Sequence, residues 1–313
     1  MQKETENQIK IFYTKTKSDY ELLDTGEGQK LEKFGPYTFA RPYENAVWNK
    51  TLDKKEWEKA DGVFIAGKAG AKPAWKMKTK LPKNWVMAHG DIKFFATPTS
   101  FRHLSFFPEQ ASHWDFIYEA IKSRTAPQGK TLGNSKVLPF PAVKFLNLFG
   151  YTGVASLSAL SAGAEVTHID ASKESLTKLK ENQELSGLSE KPLRILLDDC
   201  LKFIEKEAKR GNKYDAVIMD PPKFGRGPKG ETWKIEEMLP QLLNGVKNIL
   251  SDKPLFVIVT SYSTDSSSLN LGHALRAIMA DCAGTVEQGE MCIIEKSCGR
   301  AISMAHTAVW KNK

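Results

Sequence analysis

The chain has 313 residues, of which 41% are hydrophobic and 26% are charged, with a formal net charge of +8 and an isoelectric point near 9.1. This composition excludes a disordered chain, and the length predicts two unequal domains rather than one. No run of about 18 apolar residues occurs and residues 1–10 lack the apolar core of a secretory signal, so we expect no membrane span and a cytoplasmic protein.

Residues 1–100 predict a small β-rich domain. Short apolar stretches, such as residues 37–40 and 63–66, are separated by glycine and proline residues that include Gly35, Pro36 and Gly67. Short strands bounded by turn residues are typical of β-rich domains. We therefore expect several short strands in this part of the chain.

A basic segment covers residues 72–83 and leaves two interpretations open. It contains no acid, tryptophans stand at positions 75 and 85, and its lysines are Lys72, Lys76, Lys78, Lys80 and Lys83. In the first interpretation the lysines neutralise RNA phosphates and exposed tryptophan rings stack on bases. In the second, the segment is a solvated loop whose tryptophans anchor it to the core.

Residues 101–135 predict a connecting helix and a linker. Apolar residues recur at helical spacing after a proline-containing turn, which predicts a helix that begins near Ala111. These residues are Trp114, Ile117, Tyr118 and Ile121. The stretch 126–135 is rich in proline, glycine and polar residues, as linkers are. We place the domain boundary there.

Residues 136–313 predict an α/β domain, because apolar runs of strand length alternate with amphipathic stretches such as Lys173–Leu185 and 239–250. Two final runs have no helix-length spacer between them and predict an antiparallel hairpin that closes a mostly parallel sheet. The predicted strands are Lys144–Leu148, 166–169, Leu193–Leu197, Ala216–Met219, 255–259, 291–295 and 306–310.

A glycine-containing turn follows the first strand of this domain and precedes a helix-like stretch at 154–162. Its residues are Phe149, Gly150, Tyr151, Thr152 and Gly153. Glycines let backbone amides approach a ligand closely, and a helix N-terminus adds a favourable dipole. The turn is a candidate cofactor site, although a tight strand-to-helix turn without a ligand has the same pattern.

Acidic residues follow the second and third predicted strands. Asp170 stands about 20 residues after the glycine turn, where an acid accepts a hydrogen bond from a ribose hydroxyl; the alternative role is a helix N-cap. Asp198 and Asp199 follow the third strand, a position suited to an adenine amino group. We expect Asp199 to be the contact and Asp198 its solvated neighbour, and the reverse order stays open as the alternative.

The most specific motif follows the fourth strand and consists of Asp220, Pro221, Pro222, Lys223 and Phe224. Two prolines fix the backbone and remove two N–H donors, so nearby carbonyl groups remain as hydrogen-bond acceptors. Acceptors of this kind can hold a flat, amine-bearing target, and Phe224 can stack on it as extruded bases are held by aromatic side chains. The alternative is a motif that only ends the strand.

Together these motifs resemble a bacterial family of S-adenosylmethionine (SAM)-dependent methyltransferases that includes the 23S ribosomal RNA cytosine-C5 enzymes. The resemblance covers about residues 100–265 and implies a Rossmann-like fold with SAM as cofactor. It implies that the turn 149–153 cradles the methionine part of SAM, that Asp170 and Asp199 bind its ribose and adenine, and that residues 220–224 face the methyl acceptor. The segment 107–110 resembles the family turn that closes over the cofactor, which adds Gln110 to the implied contacts.

The sequence departs from that family at one position. Cytosine-C5 methylation needs a thiolate nucleophile, which related enzymes carry after the strand that corresponds to 255–259. Residues 260–263 are Thr-Ser-Tyr-Ser, and the four cysteines lie elsewhere, at Cys200, Cys282, Cys292 and Cys298. The sequence therefore argues against covalent cytosine-C5 chemistry. Neither the cysteines nor the histidines have metal-ligand spacing, so we expect reduced thiols and no metal.

We therefore predict an α/β, SAM-dependent methyltransferase that acts on an RNA base, with ribosomal RNA favoured and a nitrogen preferred to a carbon as the methyl acceptor. Two alternatives stay open: methylation of a protein or small molecule, and a non-catalytic RNA-binding protein with a methyltransferase fold. A nicotinamide dehydrogenase is disfavoured, because the glycine turn lacks the third glycine of G-x-G-x-x-G.

Overall fold

The computed structural model describes residues 8–67, 72–125, 141–262 and 266–313. The chain divides into two units. The large unit consists of Met1–Phe12, Ser112–Met291 and Met304–Lys313, and the small unit consists of Tyr13–Ala111 and Cys292–Ser303. Neither unit is a continuous stretch of sequence.

The elements of the first part of the chain are mostly short strands, as predicted. In order they are β1 (Ile9–Phe12), β2 (Tyr20–Gly26), β3 (Gln29–Phe34), β4 (Tyr37–Pro42), α1 (Lys54–Trp57), β5 (Gly62–Ile65), β6 (Ala74–Met77), β7 (Trp85–His89), β8 (Ile92–Ala96), a 3-10 turn (Pro108–Gln110) and α2 (Ala111–Thr125).

Strands and helices alternate in the rest of the chain. The elements are β9 (Lys144–Leu148), α3 (Val154–Ser161), β10 (Glu165–Asp170), α4 (Lys173–Leu185), β11 (Leu193–Leu197), α5 (Cys200–Arg210), β12 (Ala216–Met219), β13 (Phe224–Arg226), β14 (Thr232–Lys234), α6 (Ile235–Asn248), β15 (Phe256–Ser261), α7 (Ser268–Ile278), β16 (Gly284–Ile294) and β17 (Ala301–Asn312).

An eight-stranded sheet organises the large unit, in the order β1-β16-β17-β15-β12-β9-β10-β11. Strands β9, β10, β11, β12 and β15 pair in parallel, whereas β17 runs antiparallel to β15. The order reverses at the neighbours β9 and β12, which makes this pair the topological switch point of the sheet. The fold is thus the predicted α/β, mostly parallel, Rossmann-like sheet with an antiparallel C-terminal hairpin.

Helices pack on this sheet through apolar side chains, and α4 and α5 begin at side-chain caps. Ser172 caps α4 by accepting a hydrogen bond from the Ser175 N–H, and Asp199 caps α5 in the same way with Lys202. Phe203 and Ile204 on α5 are buried with Leu242 and other residues of α6. Burial of these side chains supplies most of the stability that holds the helices on the sheet.

The small unit is built from a five-stranded sheet, in the order β2-β3-β4-β5-β6, and the hairpin β7-β8. Its core is aromatic: the Phe34 ring contacts the rings of Phe39 and Phe106 edge-on, with centroids 5.9 and 5.7 Å apart. A charged cluster is buried beside these rings. The Nε and Nη2 groups of Arg41 donate to the two oxygens of the Glu32 carboxylate at 2.6 Å, and the side chain of Glu32 has no exposed surface.

The two units do not coincide with the predicted domains, 1–100, 101–135 and 136–313. The small unit extends to Ala111 and the large unit resumes at Ser112, before the predicted boundary at 126–135, and two further differences involve the ends of the chain. Residues 9–12 form the edge strand β1 of the large sheet rather than part of the β-rich domain, pairing with β16 where Gly289 leaves room for the Lys10 backbone. Residues 292–303 belong to the small unit, whereas the predicted catalytic domain, 136–313, includes them. Both differences join segments that are far apart in sequence, which local patterns do not reveal.

Most predicted elements are confirmed, with shifts at their ends. The helix that begins at Ala111 and the helix Lys173–Leu185 have the predicted bounds, whereas α6 begins at Ile235, four residues before the predicted start. The final hairpin strands are longer than predicted, at 11 and 12 residues. Most of the predicted linker, residues 126–135, lies outside the described residues.

The tryptophans of the basic segment are anchored in the small unit, as the second interpretation holds. The indole N–H of Trp85 donates to the Phe34 carbonyl, and that of Trp75 donates to the Thr99 carbonyl. Trp75 also packs edge-on against Phe64. The expectation that both rings are exposed for base stacking is therefore wrong, while the lysines at 72–83 are exposed.

Candidate active site at the carboxyl edge of the sheet

The register of the parallel strands brings three predicted motifs to the same level of the sheet. Leu148, the last residue of β9, pairs with Ile169 of β10 and with Met219 of β12. The segments that follow, which contain the glycine turn, Asp170 and Asp220, therefore leave the sheet side by side. In open α/β sheets ligands bind outside the carboxyl ends of the strands, at the switch point.

The glycine turn has an unusual backbone. Phe149 and Tyr151 have positive φ angles of 58° and 52° although neither is glycine, and Gly153 has a φ of 85°. Such conformations are strained and cluster at ligand sites. A side chain at Gly150 would overlap the ring of His168, which lies beneath the turn.

The residues under the turn hold it in place. Asn182 of α4 donates to the Thr152 carbonyl at 3.0 Å. Gly153 stands at the N-cap of α3, which has no side-chain cap. The N-terminus of α3 is thus available to a ligand group in a way that the N-termini of α4 and α5 are not.

Asp170 joins the end of β10 to the glycine turn. One carboxylate oxygen accepts from the Tyr151 N–H and the other from the Ser172 N–H, both at 2.8 Å. Burial raises the pKa of Asp170 above its ordinary value, and the hydrogen bonds from Ser172 and Tyr151 oppose that shift. A carboxylate has about four lone-pair positions, so each oxygen can accept a further hydrogen bond.

The two aspartates after β11 have different partners. Asp198 accepts from the Lys206 ammonium at 2.6 Å and from the Asp199 N–H at 3.0 Å. Asp199 caps α5 through one oxygen; among the described residues, no donor contacts its second oxygen. The acid that we expected to be solvated is therefore paired, and the preferred acid keeps an acceptor for a ligand.

The Asp-Pro-Pro segment is fixed by a residue that the sequence did not single out. The buried indole N–H of Trp233 donates to the Pro222 carbonyl at 2.6 Å, and its ring lies 5.0 Å from the ring of Phe149. The Lys223 carbonyl accepts from the Ile235 N–H at 3.1 Å. These two carbonyls are occupied inside the protein, contrary to the expectation that nearby carbonyls stay open, while Asp220 is half-buried at the end of β12.

Two other titratable groups near the edge are buried and inert at neutral pH. Burial lowers the pKa of His168 to about 3, and its Nδ1 lies 2.9 Å from the Ser156 hydroxyl. Burial also raises the pKa of Cys200 well above its ordinary value. Neither side chain is a proton acceptor or thiolate at neutral pH.

Gln110, the remaining predicted contact, is buried in the small unit, in the turn that precedes α2. Its role at the cofactor stays a prediction. The described part of the chain contains no group of three or more His, Cys, Asp or Glu side chains able to hold a metal ion, and no helix there is long and apolar enough to cross a bilayer.

Comparisons with known proteins agree with this arrangement. The family model described as conserved hypothetical protein 95 matches residues 131–287. The crystal structure of the SAM-dependent methyltransferase from Agrobacterium tumefaciens is 38% identical, has a TM-score of 0.88, and is matched over 97% of this chain and 94% of that one.

Curated relatives match over a shorter part. Ribosomal RNA large subunit methyltransferase I from Klebsiella pneumoniae (strain 342) is 42% identical over 82 residues, 26% of this chain and 20% of that protein. Ribosomal RNA large subunit methyltransferase K/L from Shewanella frigidimarina is 37% identical over 108 residues, 34% of this chain and 15% of that protein. The chain thus spans only about a fifth or less of the length of these relatives.

The resemblance predicted from the motifs is confirmed, and the chain belongs to the family described as conserved hypothetical protein 95 and to the SAM-dependent methyltransferases.

Proposed function

We propose that the protein transfers the methyl group of SAM to a nitrogen on a base of RNA, with ribosomal RNA as the favoured substrate. The observation that carries the proposal is the level register of β9, β10 and β12, since it sets a strained glycine turn, a buried acid and the Asp-Pro-Pro segment side by side.

The cofactor fits the residues that are present. The turn 149–153 and the uncapped N-terminus of α3 suit the methionine part, since backbone N–H groups at a helix N-terminus bind carboxylates. Asp170 retains acceptor positions for ribose hydroxyls, and Asp199 retains one oxygen for the adenine amino group. These assignments follow the roles that the motifs predict.

At the acceptor side, Asp220 and Phe224 supply the two interactions that a base needs. Bound SAM supplies an electrophilic methyl group, so the protein has mainly to orient the attacking nitrogen. The Asp220 carboxylate is placed to accept a hydrogen bond from an amine, and Phe224, which is 57% exposed, offers a ring for stacking. Pro221 and Pro222 make this segment rigid, and Lys223 follows on the exposed side.

The thiol groups favour nitrogen over carbon C5 as the acceptor. Cys200 is the cysteine at this edge, and its raised pKa keeps it protonated at neutral pH. Ser261, at the end of β15 where related C5 enzymes carry their nucleophile, is a hydroxyl and is buried. Direct attack by a base nitrogen needs neither group.

Three features support RNA over a protein or a small molecule. The chain carries a net charge of +8, exposed lysines occupy residues 72–83, and the curated relatives are named as ribosomal RNA methyltransferases. Excess positive charge favours an anionic partner. An RNA substrate also agrees with the predicted cytoplasmic setting.

The test is incubation of the protein with labelled SAM and with separated total RNA and total protein from cells that lack it. We expect label in RNA. Asp220→Ala should lower the transfer rate by about 100-fold, the effect of a misplaced acceptor, while calorimetry shows unchanged SAM affinity. Asp252→Ala, an exposed acid before β15, is the matched control and should behave as wild type.

Label that appears in the protein fraction instead would contradict the RNA assignment while leaving the cofactor assignment intact. Absence of SAM binding by the wild-type protein in calorimetry would contradict both.

A further inference from the structure

The segment directly after the Asp-Pro-Pro motif forms a hairpin whose outer face, apart from Phe224, has no role so far. Strands β13 and β14 pair antiparallel, with Phe224 opposite Lys234 and Arg226 opposite Thr232. All four of these side chains are exposed, whereas Trp233, on the other face, is buried. We call this segment, residues 223–234, the edge hairpin.

The edge hairpin is held firmly on the large unit. Trp233 anchors its inner face through the bond to Pro222 and the contact with Phe149. At the turn, Glu231 accepts from the Lys229 N–H at 2.8 Å and from the Lys202 ammonium of α5 at 2.6 Å. The hydrogen bond from Lys202 lowers the pKa of Glu231 to about 2, so this anchor is ionised at any physiological pH.

The exposed side carries an excess of positive charge. Residues 223–234 contain four cations, Lys223, Arg226, Lys229 and Lys234, and one acid, Glu231. Glu231 is occupied by Lys202, and Lys234 donates to Glu237 at 2.8 Å. Within the described residues, Arg226 and Lys229 form no ion pair, so their charges are available to an anionic partner.

A solvent-exposed aromatic ring flanked by unpaired cations is the arrangement that binds single-stranded nucleic acid, because each base can stack and each phosphate can be neutralised. The 57% exposed ring of Phe224 lies four residues after Asp220, so this face adjoins the proposed acceptor segment in sequence. Duplex RNA has no free base face to offer the ring.

We propose that the outer face of the edge hairpin binds the single-stranded RNA that flanks the methylated nucleotide, with Arg226 and Lys229 contacting phosphates of the flanking nucleotides beside the target base on which Phe224 stacks. This inference rests on the proposed function and names the surface that recognises its substrate.

The experiment measures binding of a labelled single-stranded RNA of about 12 nucleotides at several salt concentrations, by fluorescence anisotropy. Arg226→Ala combined with Lys229→Ala should reduce the slope of log affinity against log salt by about 1.4, because each lost phosphate contact accounts for about 0.7. Phe224→Ala should weaken binding by about tenfold to a hundredfold, and Phe224→Tyr should retain it.

Lys253→Ala is the matched control, since Lys253 is an exposed cation at the opposite end of β15. SAM affinity, measured by calorimetry, should be unchanged in every variant, which verifies that the large unit is folded. Wild-type RNA affinity and salt slope in the Arg226/Lys229 variant, or equal binding of duplex RNA, would overturn the hairpin proposal.

The two proposals fail separately. A wild-type protein that methylates RNA while its hairpin variants bind RNA normally refutes only the hairpin surface. A wild-type protein that labels no RNA refutes the proposed function, whatever the hairpin variants bind.

Discussion

The acids at the strand ends of the large unit differ from the buried ion pair inside the strands of the small unit. In the large unit Asp170, Asp199 and Asp220 stand at strand ends, half-buried. In the small unit Glu32 and Arg41 lie inside strands, buried and bonded to each other. Strand interiors must satisfy their polar groups within the fold, whereas strand ends can leave acceptors for a ligand.

This difference distinguishes charged residues that stabilise the fold from charged residues that are able to bind a ligand. Although burial alone raises the pKa of Glu32, the charges of Arg41 and Lys30 lower it to about 2, so the carboxylate is matched internally. Burial raises the pKa of Asp170, whose donors within the described ranges are all backbone N–H groups. Arg41 supplies side-chain hydrogen bonds to the Glu32 carboxylate. A bound ligand could supply the corresponding hydrogen bonds to the Asp170 carboxylate.

The largest effect that would test the comparison is expected in the small unit. Arg41→Ala leaves the Glu32 carboxylate buried without its guanidinium, so the free energy of unfolding should fall by about 3 to 5 kcal/mol in urea denaturation. Arg102→Ala removes an exposed ion pair with Glu44 and should cost at most about 1 kcal/mol. If the free energy of unfolding falls equally in the two variants, the buried ion pair stabilises the protein no more than the exposed one.

A smaller effect is expected at the glycine turn. Gly153→Ala places a side chain at a φ of 85° and against the buried Leu179, so it should destabilise the protein by about 2 to 3 kcal/mol and weaken SAM binding about tenfold or more. Gly163→Ala, at a φ of 97° with open space around it, is the matched control, with about 1 to 2 kcal/mol of strain and unchanged SAM affinity. If Gly153→Ala and Gly163→Ala bind SAM with the same affinity, the glycine turn does not contact the cofactor.

The smallest expected effect is a dependence of SAM affinity on pH. In the proposed contact the ionised carboxylate of Asp170 accepts hydrogen bonds from the ribose hydroxyls, and burial raises the pKa of Asp170 in the free protein. SAM affinity should therefore be full above that pKa and fall, by up to about tenfold per pH unit, as the pH drops through it. Calorimetry across this range should show the step at a higher pH than an ordinary aspartate gives, and Asp170→Asn should abolish it. A pH-independent affinity in the wild-type protein would contradict the contact.

The sequence predicted the strand ends well, because each motif there is local. The run from Lys144 to Gly153 contains its own strand, turn and helix start, and parallel strands must bring their carboxyl ends to one edge. Asp170 and Asp220 could therefore be placed without knowing the tertiary packing. Trp233 was missed because its partner, the Pro222 carbonyl, depends on the hairpin that follows the motif.

The small unit was predicted only as β-rich, because its specific contacts join distant residues. Glu295 accepts from Thr25, and Ser297 donates to Asp24. The tryptophans of the basic segment illustrate the same limit: composition could not decide between an exposed and an anchored ring, and the deciding hydrogen bonds reach Phe34 and Thr99.

The bond between Thr25 and Glu295 spans 270 residues, which has a consequence for the order of events during synthesis. At about 5 to 20 residues per second, the ribosome needs roughly 14 to 54 seconds after adding Thr25 before it adds Glu295. During that interval Asp24 can already accept hydrogen bonds from Leu52 and Trp57, but the N–H and hydroxyl groups of Thr25 lack the Glu295 carboxylate. The small unit therefore cannot complete its hydrogen bonds until a segment made much later has been added.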